Sequence, residues 1–148
     1  MSSRQKNSRQ GFGQAKRNKI RYPDFQAIAR INRKVVLLTS DEHVYTKDDE
    51  HRIRRLLSDV RKTAIKEEPL ESIIQKTSLL IFGIARGQHF HEGNKRTALS
   101  VAEAFLKFNG YTMNIGDTAL LDVVYKAGIG QAGLSNVRDR VRLLIRNV

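Results

Sequence analysis

The chain has 148 residues, 40% of them hydrophobic, no cysteine, and a formal net charge of +12 from 27 basic and 15 acidic side chains. That length suits one domain with a real core, and the missing cysteine excludes disulfides, thiolate catalysis and Cys-based zinc sites together. No run of eighteen apolar residues offers a membrane span, and the basic N-terminus has no apolar segment behind it to make a secretory signal, so a cytoplasmic location is expected.

The charge is uneven. Residues 1–22 hold seven Lys or Arg and no acid, which leaves +5 for the remainder. Their Ser, Gln, Asn and Gly content predicts a mostly disordered tail ahead of a helical domain over 23–148. Two readings stand for the tail: a solvated arm, or a contact to nucleic-acid phosphates or an acidic partner.

From Pro23 the pattern turns helical, with Phe25, Ile28, Ala29 and Asn32 on one face. KVVLLTSDEHVYT then breaks the period. Its β-branched ends around a turn-like centre predict a short hairpin, with a helix running straight through as the alternative. From about Lys47 to Ile65, the residues Ile53, Leu56, Leu57, Val60 and Ala64 form one inward stripe, and the arginines fall on other faces. Pro69 opens a further helix with the stripe Ile73, Ile74, Thr77, Leu80, Ile81 and Ile84, and Gly87 is the expected stop.

TALSVAEAFLKFNG leaves only a thin polar strip, so it predicts a helix at the centre of a bundle, ended by Asn109-Gly110. DTALLDVVYKAG predicts another helix. A last one is expected after Ser135 as its cap, with Val137, Val141, Leu144, Ile145 and Val148 aligned. The fold class read from these patterns is all-α: five or six helices around one buried central helix, with a possible hairpin.

Ahead of that central helix lies GQHFHEGNKR, residues 87–96. Helix N-termini leave backbone N–H groups unpaired and carry a positive dipole end, so they hold anions. Gly93 lets a ligand approach the backbone, Asn94 adds an amide, and Lys95 and Arg96 add two charges. Glu92 would repel a bare anion, but Mg²⁺ can bridge a carboxylate and phosphate oxygens, which points to a magnesium nucleotide. The plainer reading of Glu92, Lys95 and Arg96 is a solvated helix end that suits the dipole.

QHFHEGNKR resembles the signature of the Fic/Doc family, His-x-Phe-x-Asp/Glu-Gly-Asn-Gly/Lys-Arg. Lys95, the following Thr97-Ala98-Leu99 and the later FLKFNGY resemble the death-on-curing (Doc) branch. The resemblance implies a Fic/Doc helical bundle whose hairpin flap, here KVVLLTSDEHVYT, aligns the target chain by strand addition. It implies ATP as co-substrate and Mg²⁺ on Glu92. Phosphates would lie against Gly93, Asn94, Lys95 and Arg96, with Phe90 pinning the loop. Doc relatives transfer a phosphoryl group to a protein hydroxyl, with elongation factor Tu as the family's known Doc target; relatives with Gly in place of Lys95 usually transfer AMP. A separate antitoxin is a further implied partner, since the chain has no Ser/Thr-x-x-x-Glu-Gly/Asn inhibitory motif.

Gln88 departs from the signature. It falls where the family places its catalytic His, the group that accepts the hydroxyl proton. An amide can orient a hydroxyl but cannot take up its proton. His89 and His91 are candidate substitutes or plain loop histidines, and a zinc site on them with Glu92 lacks a remote ligand. His43 and His51 read as surface residues. The alternatives are a catalytically impaired scaffold that binds a nucleotide or partner, and a nucleic-acid binder acting through the tail.

Overall fold

The computed structural model describes residues 19–37, 45–63, 68–90 and 92–148. Among these the chain forms six helices: α1 Phe25–Leu37, α2 Lys47–Lys62, α3 Pro69–Gly87, α4 Asn94–Phe108, α5 Thr118–Gly128 and α6 Leu134–Leu144. Two short strands, β1 Tyr111–Thr112 and β2 Arg146–Asn147, pair antiparallel. The all-α expectation holds.

The expected stripes become the core. Ile53, Leu56, Leu57 and Val60 of α2 are buried, as are Ile73, Ile74, Thr77, Leu80, Ile81 and Ile84 of α3; α2 ends at Lys62, short of the expected Ile65, and Ala64 of its stripe lies outside the described residues. Each large aliphatic side chain buried in this way stabilises the fold by about 1.5–3 kcal/mol. Helix α4 is buried on most of its surface, as its composition predicts, though Phe108 at its end is exposed. It shares the centre with α3, which packs against α2, α4, α5 and α6. Helix α2 sits close on α3 because Gly83 has no side chain; a Cβ there would collide with Leu56.

The ends of the helices are specified locally. Thr46 accepts from the Asp49 N–H while Asp49 accepts from the Thr46 N–H, a reciprocal capping box for α2. At the other end of α2 the ammonium of Lys76, only 1% exposed, donates to the carbonyls of Val60, Arg61 and Thr63. Asp117 caps α5 through the Leu120 N–H. At α6 the cap is Gly133 rather than the expected Ser135, and the Asn136 side chain reaches back to the Gly133 N–H.

Three expectations need correction. Val35 to Leu37 are helical, so the first arm of the expected hairpin is the last turn of α1. Val36 extends the inward stripe of Phe25, Ile28, Ala29 and Asn32, and its burial outweighs the strand preference of β-branched residues. Residues 38–44 of that hairpin, with His43, lie outside the described residues, and the end of its second arm is not strand, since Thr46 caps α2. The last helix stops at Leu144, because Ile145 turns extended and Arg146–Asn147 pair with the strand that follows Gly110. Val148 is 85% exposed, so it adds nothing to the stripe in which it was expected.

Residues 1–18 of the expected tail also lie outside the described residues. Ile20 and Tyr22 pack against the core, and Arg21 exchanges hydrogen bonds with the side chain of Asn109 (2.9 and 3.0 Å). Among the described residues, no helix is long and apolar enough to cross a membrane.

Candidate functional site

The connection from α3 to α4, residues 88–93, carries the signature-like cluster, and buried side chains on three sides fix its shape. Phe90 is 4% exposed and meets Tyr45 edge-on at 6.1 Å between ring centres, so it anchors the loop as expected. Its N–H donates to Asn94 Oδ1 (2.9 Å), and Asn94 Nδ2 donates back to its carbonyl (2.8 Å). The Asn94 side chain, expected at a phosphate, is therefore turned inward and holds the loop; its share of the helix mouth is its main-chain N–H.

A second clamp comes from α1. Asn32, 1% exposed, donates through Nδ2 to the Glu92 carbonyl (2.9 Å) and to Thr97 Oγ1 (3.1 Å). Gly93 is left-handed (φ 74°), and a Cβ there would stand 3.2 Å from the side chains of both Val35 and Val36. Glycine is thus favoured twice, by torsion and by the close approach of α1. Asn32 reads from sequence as one more member of an inward face. Its role as a clamp could be suspected only from its being the one amide in an apolar stripe.

The N-terminus of α4 has no side-chain cap, and its first intrahelical bond runs from the Thr97 N–H to the Gly93 carbonyl (2.8 Å). The N–H groups of the first turn therefore point out of the mouth. Lys95 and Arg96 lie about 100° apart on the helix and lean to opposite neighbours. Arg96, exposed, donates to the Val35 carbonyl at the end of α1 (3.2 Å). Lys95 runs toward α5, its ammonium 5.7 Å from the ring centre of Tyr125. Glu92, three residues ahead of Lys95, is half-buried.

Gln88 caps α3 in the left-handed conformation (φ 51°, ψ 47°), the one non-glycine with positive φ among the described residues. The helix stops at Gly87 as expected, and the left-handed cap falls on the next residue. Gly87 must be glycine for another reason: a Cβ there would collide with the imidazole of His89. The exposed Gln88 amide donates to the Ala85 carbonyl (2.7 Å) and stands 3.4 Å from that of Gly128. Its N–H₂ group is directed at main-chain oxygens.

His89 is 5% exposed, with Nε2 3.1 Å from the Gly83 carbonyl. A carbonyl only accepts, so Nε2 carries the proton and Nδ1 is left with a buried lone pair that has no partner among the described residues. Burial, then the nearby Arg52 guanidinium, push its pKa below the ordinary 6.5. Arg52 itself donates to the Gly87 carbonyl (3.2 Å) and pairs with Asp49 (2.5 Å), so it braces the end of α3 while staying partly exposed. The pKa of Asp49 is lowered: hydrogen bonds from the Thr46 backbone and side chain and from Arg52 outweigh desolvation, the largest contribution, which acts upward. His91 lies outside the described residues, and His51 is exposed as expected.

The structure thus brings Phe90, Glu92, Gly93 and Asn94 into one braced loop, flanked by Arg96 on the α1 side and by Lys95 with Gln88 on the α5 side. An outward-facing helix N-terminus with two cations can accept an anion. Among the described residues no group of three or more His, Asp or Glu gathers as a metal cage.

The helical body thus carries an uncapped helix N-terminus between two cationic side chains. No family model matches the chain. It is 32% identical over 77 residues, 52% of its own length, to the protein kinase doc of Escherichia phage P1, and spans 60% of that protein's length. The relationship over that stretch is Doc-like.

Proposed function

We propose that the chain is a Doc-like transferase of the Fic/Doc family that moves a phosphoryl group from ATP to a hydroxyl of a target protein. One observation carries the reading: the loop that resembles the family signature is braced from inside by Asn32, Phe90 and Asn94, so that the α4 N-terminus, Lys95 and Arg96 crown one mouth. The similarity to a protein named as a kinase supports it.

In this reading the phosphates lie against the N–H groups of the first turn of α4, with Lys95 and Arg96 on either side. Glu92 is the only carboxylate of the loop. That donor set fits Mg²⁺ held by one carboxylate together with phosphate oxygens and water, and does not fit a dedicated protein cage. The ion, when bound, would neutralise phosphate charge. The hydroxyl oxygen forms a bond to the γ-phosphorus, the bond to the bridging oxygen breaks, and ADP leaves. The hydroxyl proton goes to water, since Gln88 cannot take it. Loss of a general base lowers rate by about 10²–10⁴.

A second reading, a scaffold that binds a nucleotide or partner without turnover, is favoured by one feature. Gln88 stands at the base position with its N–H₂ engaged on main-chain carbonyls, and its amide oxygen can accept a hydrogen bond but cannot take up a proton. In either case an antitoxin and cytoplasmic residence are part of the proposal. The nucleic-acid reading predicts a steep salt dependence that disappears when residues 1–22 are deleted.

The test uses ATP labelled at the γ or the α position, Mg²⁺ and a cell extract, with elongation factor Tu as the first purified target. Native and Gln88→His proteins are compared side by side. γ-Label on a protein supports phosphoryl transfer; α-label alone replaces it with AMP transfer. Label with the Gln88→His variant only selects the impaired scaffold. No label and no ATP binding by calorimetry overturns both readings.

A further inference from the structure

We infer that Asn32 is a positioning residue of the site, and that the last turn of α1 is the strut that holds the Glu92–Arg96 loop in its working shape. The inference rests in part on the nucleotide reading above, but its geometry stands independently. A buried amide in an otherwise apolar stripe is costly unless its polar atoms are satisfied. Asn32 satisfies its donor across 60 and 65 residues of sequence, on the Glu92 carbonyl and the Thr97 hydroxyl.

These two acceptors bracket the helix mouth, one just before Gly93 and one at the first closed turn of α4. A single N–H₂ therefore sets the distance between the loop and the helix it opens. Two further contacts act in the same place. Val35 and Val36 close on Gly93, and the Val35 carbonyl accepts from Arg96. Glu92 receives its orientation through its own backbone, and Arg96 through the end of α1. A displacement of that turn would move the carboxylate and the guanidinium together.

The test compares the native protein with Asn32→Leu, which keeps size and removes the donor without burying a charge, and with Thr97→Val, which removes one acceptor. Two readouts are taken. Amide hydrogen exchange at Phe90, bonded across the loop to Asn94 Oδ1, and at Thr97, bonded to the Gly93 carbonyl in the first turn of α4, is expected to quicken at least tenfold in Asn32→Leu, with α6 amides unchanged. Calorimetry with Mg-ATP is expected to show an affinity at least tenfold weaker, and a higher Mg²⁺ concentration for half-saturation. Thr97→Val should give smaller changes of the same sign. Unchanged exchange at Phe90 and Thr97 in a folded variant, or protection lost evenly over the whole molecule, overturns the inference. If the native chain binds no Mg-ATP, the nucleotide reading fails, and the exchange measurement still decides the role of Asn32.

Discussion

Asn94 and Phe90 hold each other reciprocally, each donating one hydrogen bond to the other at 2.8–2.9 Å, across the entrance to a buried helix. The side chain of Asn94 is thus the keystone of a turn. Truncation in Asn94→Ala strands a buried N–H and a buried carbonyl on Phe90, and net losses of about 1 kcal/mol per bond give about 2 kcal/mol in all. Urea unfolding should show a lower midpoint with an unchanged slope. A midpoint equal to that of the native protein would mean that Phe90 is held by packing alone.

Gln88 occupies a conformation that costs a residue with a Cβ roughly 1–2 kcal/mol. Comparing Gln88→Gly with Gln88→Ala removes the amide from both variants and isolates the torsion. The glycine variant is expected to be more stable by about 1 kcal/mol in thermal unfolding. Equal stabilities would show that the left-handed cap relaxes once the amide is gone.

His89 provides a pH signature. Its folded pKa lies below the ordinary 6.5, chiefly through burial and then through Arg52, with the Gly83 carbonyl and Asp49 acting the other way. The unfolded chain therefore takes up the proton first as pH falls. Stability is full above about 6.5 and is lost as pH drops from there toward the folded value. Melting temperatures between pH 7.5 and 5 should decline in the native protein, and the decline should flatten in His89→Gln. A parallel decline in the variant would assign the effect to other groups.

Lys76 provides a test of the fold away from the site. Its ammonium donates to three carbonyls at the end of α2, those of Val60, Arg61 and Thr63, and stands 5.3 Å from the Tyr22 ring centre. Lys76→Met keeps the bulk and removes the donors. We expect a loss of about 2 kcal/mol, measured by denaturant unfolding, since charge-assisted bonds are worth more than neutral ones.

Much of this was legible in the residue order. The stripes of α2 and α3 name their own core residues, and the density of apolar residues after Arg96 marks α4 as buried. The loop cluster also stands out, because cations and a carboxylate rarely crowd a helix entrance without reason. Val35 and Val36 misled, since strand preference is a weak prior and their burial against Gly93 is a tertiary fact. Val148 misled similarly: helical spacing continues on paper, but pairing with Tyr111–Thr112 takes the backbone instead. The clamps are the least legible part. Asn32, Arg52 and the inward turn of Asn94 depend on which carbonyl lies beside them after folding, and no local spacing encodes that.

Near the foot of α4 both margins of the folded body are fastened. Asn109 grips Arg21, and the Val148 N–H reaches the Gly110 carbonyl at 3.1 Å. Fifteen helical residues at 1.5 Å each separate that knot from the opposite rim, roughly 22 Å away. A fluorophore or surface tether attached at the exposed Asn147 therefore leaves Gly93 and its surroundings open, which suits the molecule to immobilised or single-molecule assays.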